Sequence, residues 1–220
     1  MNDAIVSLLW VIVFLASASY MFFSIFLYQK LKKIPFRIQQ QLPYELHDIY
    51  LEHGQRFQPF KWLIIVVAVS SFAYWESMFV YPNMPLTYVF LVVLVWFLLS
   101  LMGIFLLQPK RIEVYLLIVT SFLVSSTTIL FFSSYLAYTS PYGSLQTFLP
   151  WTSLVQGIGQ FILVMNPALT RWAKLEKVEG TNEKPLFRRP QHFVLAYTQW
   201  LTLINIMVWV FLTQFDYLIG

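Results

Sequence analysis

The chain has 220 residues, of which 59% are apolar, 19% aromatic and only 11% charged, less than half the roughly 25% charge of a soluble domain. A water-soluble fold of this size cannot hide so much apolar surface, so the expected solvent is hydrocarbon and no nucleic-acid partner is expected. The absence of cysteine excludes disulfides, thiolate metal sites and a cysteine nucleophile.

The apolar residues fall in long blocks, and a helix needs about 20 residues to cross a hydrocarbon core of roughly 30 Å. The first block, residues 5–28, contains Ala16-Ser17-Ala18, which looks like a signal-peptide cleavage site. Met1-Asn2-Asp3 carries no positive charge, the run is too long, and the basic cluster follows it, so it reads as a retained anchor.

The connection 29–61 holds Lys30, Lys32, Lys33, Arg37, Arg56 and Lys61. Within it the pattern predicts a short interfacial helix. Pro43 suits a first helical position, Glu45 the first turn, and Gly54 the residue past the end. Leu42, Leu46, Ile49, Tyr50 and His53 form an apolar or amphipathic stripe, and Glu45, Asp48 and Glu52 an acidic one. Two readings stand: an acidic or metal-binding face with His47, or a helix lying on the membrane with its charges in water. No H-E-x-x-H or comparable ligand spacing supports the first.

The second block, 62–81, contains Glu76, the one ionisable residue this reading places inside a span. It is either a proton-carrying, cation-binding or substrate-binding carboxylate, or one that reaches the headgroups or caps a neighbouring helix. Tyr81-Pro82-Asn83-Met84-Pro85 marks a turn. The third block, 86–107, is interrupted only by Thr87, Ser100 and Gly103 and is expected to be the more lipid-facing. Gln108-Pro109-Lys110-Arg111 marks the next turn.

The fourth block, 115–138, places Ser121, Ser125 and Thr128 on one face. After the Ser140–Ser144 turn, the fifth block, 145–165, places Thr152, Gln156 and Gln160 on one face beside Gly157 and Gly159, and Asn166-Pro167 ends it. The second long connection, 166–192, holds Arg171, Lys174, Lys177, Lys184, Arg188 and Arg189. The sixth block, 193–215, aligns Thr198, Thr202 and Asn205. Thr128, Gln156 and Asn205 are expected at similar depth, near the midplane. They either let helices pack closely, at about 0.6 kcal/mol per side-chain hydrogen bond, or line a polar cavity for a small solute or lipid headgroup.

The expected architecture is all-α: one polytopic membrane domain over residues 1–220, a bundle of about six transmembrane helices. Short segments of alternating polarity, the mark of a β-barrel, are absent from the pattern. All fourteen Lys and Arg lie in the first, third and fifth connections. The positive-inside rule then puts those connections in the cytoplasm and both termini outside, in a multi-pass cell-membrane protein. Trp62, Trp75, Tyr81, Tyr138, Tyr142, Trp151, Trp172 and Tyr217 fall near span ends and are expected in the headgroup layer. Lys30, Lys32, Lys33, Arg37, Arg188 and Arg189 are candidates to contact anionic lipid headgroups, although topology alone would also produce such clusters.

No haem, di-metal or phosphate-loop pattern appears, because His47, His53 and His192 all lie outside the blocks, so no cofactor or metal is expected. A lipid-modifying enzyme using His47, Asp48 or Glu52 is the residual enzymatic option. The favoured expectation is a non-enzymatic membrane subunit of a larger transport, secretion, signalling or envelope assembly, with a membrane-protein partner or self-association. The alternative is a small-solute or lipid transporter whose binding residues are Glu76, Thr128, Gln156, Gln160 and Asn205.

Overall fold

The computed structural model describes residues 3–52, 62–79, 84–107, 112–140, 146–165, 176–178, 186–188 and 194–219. Seven α-helices lie within them: α1 (Asp3–Lys32), α2 (Pro43–Glu52), α3 (Leu63–Phe79), α4 (Pro85–Leu106), α5 (Ile112–Tyr138), α6 (Leu149–Val164) and α7 (Val194–Ile219). Between α6 and α7, β1 (Glu176–Val178) pairs antiparallel with β2 (Leu186–Arg188), Lys177 opposite Phe187. This hairpin has no signature in the sequence, since three-residue strands carry no measurable period.

Four helices, α1, α4, α5 and α7, are long and apolar enough to cross a membrane, which makes this a helical membrane protein. The other two apolar helices are shorter. With 17 residues in α3 and 16 in α6, a rise of 1.5 Å per residue gives lengths of about 26 and 24 Å. The turns around 80–83, 108–111 and 141–145 lie outside the described residues.

Each apolar helix packs on the next in the chain: α1 on α3, α3 on α4, α4 on α5, α5 on α6 and α6 on α7. Hydrocarbon supplies no hydrophobic force between helices, so close approach and hydrogen bonds carry this packing. A Cβ at Gly103 of α4 would come within 2.8 Å of Ile118 Cγ2 of α5, and one at Gly157 of α6 within 3.2 Å of the Phe131 ring of α5. Ser100 and Ser121 bond across α4 and α5 at 2.8 Å, and Ser134 of α5 donates to the Pro150 carbonyl at 2.6 Å.

Helix α4, expected to face lipid, is instead the most buried of the four long helices, and α1 the least. Its apolar side chains serve protein packing: Phe90, Leu94 and Ile104 are fully enclosed. A uniformly apolar helix reads the same whether lipid or neighbouring side chains surround it, which is why its sequence misled.

Trp75, expected to project into the headgroup layer, is instead enclosed by protein. It is buried and stacks on Trp209 of α7 with centroids 3.9 Å apart. Trp62, Tyr138 and Trp151 do project outward, while Tyr81, Tyr142 and Trp172 lie outside the described residues.

Helix α2 forms with Pro43 first and Glu45 in the opening turn, as the sequence pattern predicts. It does not lie free on a membrane surface. Its apolar stripe, Leu46, Ile49 and Tyr50, is buried, and the helix seats against α1, α4 and α7. Before it, α1 ends where Lys33 takes a left-handed conformation, φ 55, with its N–H on the Gln29 carbonyl, a common way to stop a helix.

Candidate functional site

The mid-depth polar residues expected from the sequence are partly assembled. Gln160 of α6 is buried and donates through Nε2 to Thr202 Oγ1 of α7 at 2.7 Å. Asn205 Nδ2 reaches Gln160 Oε1 at 3.4 Å and the Gln156 carbonyl at 3.5 Å. One turn further towards the C-terminal end of α7, Trp209 Nε1 donates to Ser153 Oγ at 3.0 Å. These bonds form a ladder along the α6–α7 seam. Thr128 does not join it, because its hydroxyl bonds the Val124 carbonyl of its own helix. Gln156 Oε1 is buried with no hydrogen-bond partner, an arrangement that costs about 1–3 kcal/mol.

Glu76 stands apart. It is on the exposed side of α3, and none of the described residues pairs with it. Its neighbours Tyr74 and Trp75 point inward: Tyr74 Oη donates to Gln214 Oε1 at 3.4 Å, and Gln214 Nε2 reaches Ser7 Oγ at 3.2 Å. Gln214 of α7 thereby ties α1 and α3 together.

The acid that does work inside the bundle is Asp216, missed because the sixth block was ended at Phe215. Helix α7 continues to Ile219 and Asp216 is fully buried. Its carboxyl oxygens accept from the backbone N–H of Phe148 at 3.2 Å and of Leu149 at 3.1 Å, and from the Thr147 hydroxyl. Helix α6 has Phe148 at its cap position, with no capping bond from that side chain. Asp216 therefore caps α6 from another helix, where the positive end of the helix dipole favours an acid.

A second cluster joins α2 to the end of α1. His47 is buried, its Nδ1 3.3 Å from Tyr20 Oη, and Ser24 Oγ lies 2.9 Å from Tyr50 Oη. Burial raises the Tyr50 phenol above its ordinary value, partly offset by the Ser24 bond. Ser24 is engaged by a tyrosine, so the His47 ring is not placed as its base in the manner of a nucleophile–base pair. Nearby, the Trp200 indole donates to the Gln41 carbonyl at 2.7 Å. Tyr115 donates to Gln199 Oε1 at 3.0 Å, leaving Gln199 Nε2 buried without a partner.

Among the described residues no group of three His, Cys, Asp or Glu converges. Glu45 is half-buried, and the side chains of Asp48 and Glu52 lie outside the described residues. Of the candidate headgroup contacts, Lys30, Lys32, Lys33 and Arg37 are all exposed just beyond α1 or at its end, and Lys30 Nζ lies 6.0 Å from the Phe26 ring centroid. Arg188 lies on β2 and Arg189 outside the described residues, so neither side chain is placed.

Beside these networks a cavity of about 390 Å³ lies between α1, α3, α4 and α7. Its walls are almost wholly apolar, among them Val13, Val67, Phe97, Leu101 and Leu203. The polar ladder of α6 and α7 does not line it.

The geometry defines a helical-bundle membrane protein in which Gln160, Asn205, Trp209, Gln214 and Asp216 bond one helix to another, while many Ser and Thr hydroxyls turn back to their own helix. No family model, curated protein or solved structure matches the chain.

Proposed function

We propose that this is a multi-pass cell-membrane protein of about six spans, with both termini outside, that works as a membrane subunit or accessory component of a larger assembly. Two features support six spans over four. The sequential packing of α1, α3, α4, α5, α6 and α7 is that of helices crossing back and forth. The shortness of α6 is accommodated because Asp216 satisfies its first N–H groups inside the protein, which hydrocarbon would not. Local thinning of the bilayer accommodates α3.

The observation that carries the functional reading is that Gln160, Thr202, Asn205 and Trp209 are engaged in bonds between α6 and α7, while the cavity beside them is apolar. That arrangement suits a body offering surfaces to other membrane helices, with the polar groups named here spent on holding α6 to α7. Purification in a mild detergent is expected to recover a stoichiometric membrane-protein partner. Recovery of the chain alone, together with solute flux by the pure protein in liposomes, would overturn the reading. That outcome would favour a small permease with Gln156, Gln160 and Asn205 at its site, which one observation supports: the Gln156 oxygen is buried and lacks a donor.

A further inference from the structure

We propose that the apolar cavity between α1 and α7 holds one acyl chain of a bilayer phospholipid. The inference rests on α1 and α7 crossing the membrane, as proposed above.

The cavity is a bounded side window. At the outer end α1 and α7 are tied by the Trp10 indole, which donates to the Val210 carbonyl at 3.2 Å, and by Gln214 on Ser7. At the inner end Tyr28, Phe36 and Trp200 form consecutive edge-to-face pairs, 5.3 and 5.5 Å between centroids, which link the two helices again. Between these ties the helices part. Phe14 of α1 and Ile204, Val208 and Phe211 of α7 line the cavity and are also exposed, so the opening faces sideways into the hydrocarbon.

Size and chemistry select the occupant. Along α7 the lining runs from Trp200 to Phe211, about 16 Å at 1.5 Å per residue. A partner's transmembrane helix runs through a hydrocarbon core of roughly 30 Å, whereas this opening is closed at both ends by the Trp10 and Trp200 ties, so such a helix does not enter it. Water needs two to four polar partners per molecule. The Tyr20 hydroxyl and Trp200 indole are already bonded to His47 and to the Gln41 carbonyl, leaving few groups besides the Ser17 and Ser71 hydroxyls. A flexible hydrocarbon chain entering from the side suits the closed ends, the sideways opening and the apolar lining, and it regains the dispersion contacts that an empty space forfeits.

The test uses the full chain in phosphatidylcholine vesicles containing a phosphatidylcholine with a photoreactive diazirine near the end of one acyl chain. Illumination should place adducts on the segments 13–21 and 203–211. Ser71→Phe, which puts a ring into the cavity, should lower that yield by about tenfold, equivalent to about 1.4 kcal/mol of lost binding. Val67→Phe gives the same reading from a second wall position. Adducts spread evenly over outward residues such as Leu117 and Val155 would overturn the proposal. So would wild-type yield in both filled variants at wild-type melting temperature, or tight copurification of an isoprenoid in place of phospholipid. Resistance of the chain to alkaline extraction from membranes separates this failure from failure of the spanning reading. If a filled variant misfolds, the adduct map of the unmodified protein still decides.

Discussion

Asp216 and Glu76 are acids near the C-terminal ends of α7 and α3, and their surroundings are opposite. Asp216 is enclosed and accepts three hydrogen bonds at the start of α6. Glu76 is exposed. Asp216→Ala strips the cap and leaves two backbone N–H groups facing hydrocarbon, which should cost about 1–3 kcal/mol. Asp216→Asn retains one acceptor oxygen and should cost less. Glu76→Gln should stay within about 0.5 kcal/mol, the range of an uncommitted surface change. Thermal melting in detergent ranks the three. Wild-type melting in Asp216→Ala would show that α6 is capped in some other way, whereas a functional loss in Glu76→Gln at unchanged melting would mark that carboxylate as a binding group. Nothing local in the sequence distinguishes these acids, since each sits within about two turns of a span end. The one available signal was negative: the chain before α6 offers Phe148 where a capping side chain would normally stand.

At the scale of elements, α2 shows how far periodicity reaches. The stripe of Leu46, Ile49 and Tyr50 was legible from spacing alone, and so were the helix and its starting proline. What the stripe rests on was not, because a membrane surface and the end of a helical bundle both accept an amphipathic helix. The bundle is chosen by specific partners: Tyr20 for His47, Ser24 for Tyr50, and the Trp200 indole for the Gln41 carbonyl. Leu46 is fully buried, so Leu46→Asp puts a charge where no partner waits and should release α2 from the bundle. Limited trypsin digestion in detergent checks this, since the basic connection 29–61 should then be cut at least several-fold faster than in the unmodified chain. An unchanged cleavage rate would mean that α2 is held by the membrane and not by its neighbours.

For the whole molecule the orientation is the strongest sequence-based expectation, and the absence of native cysteine makes it directly testable. Asn83→Cys and Gly143→Cys should react with a membrane-impermeant thiol reagent on intact cells, whereas Gln40→Cys and Thr181→Cys should react only after permeabilisation. Labelling of either of the last two in sealed cells would invert the topology.

Composition and the blocking of apolar residues were enough to place the chain in hydrocarbon as a helical bundle, because the requirement that every backbone group be satisfied away from water acts on local sequence alone. The charges likewise supply an expected orientation without reference to any fold. Which side of each helix meets protein was beyond the sequence: α4 reads as lipid-facing and is the most enclosed of the four long helices, Trp75 reads as a headgroup anchor and stacks on Trp209, and Thr128, expected at the depth of Asn205, turns to its own helix. In a bilayer an apolar side chain gains little by choosing protein over lipid, so the pattern that marks inside and outside in water is missing. Only the packing of particular pairs, Gly103 against Ile118, Gln160 on Thr202 and Asp216 on the start of α6, decided how the helices meet.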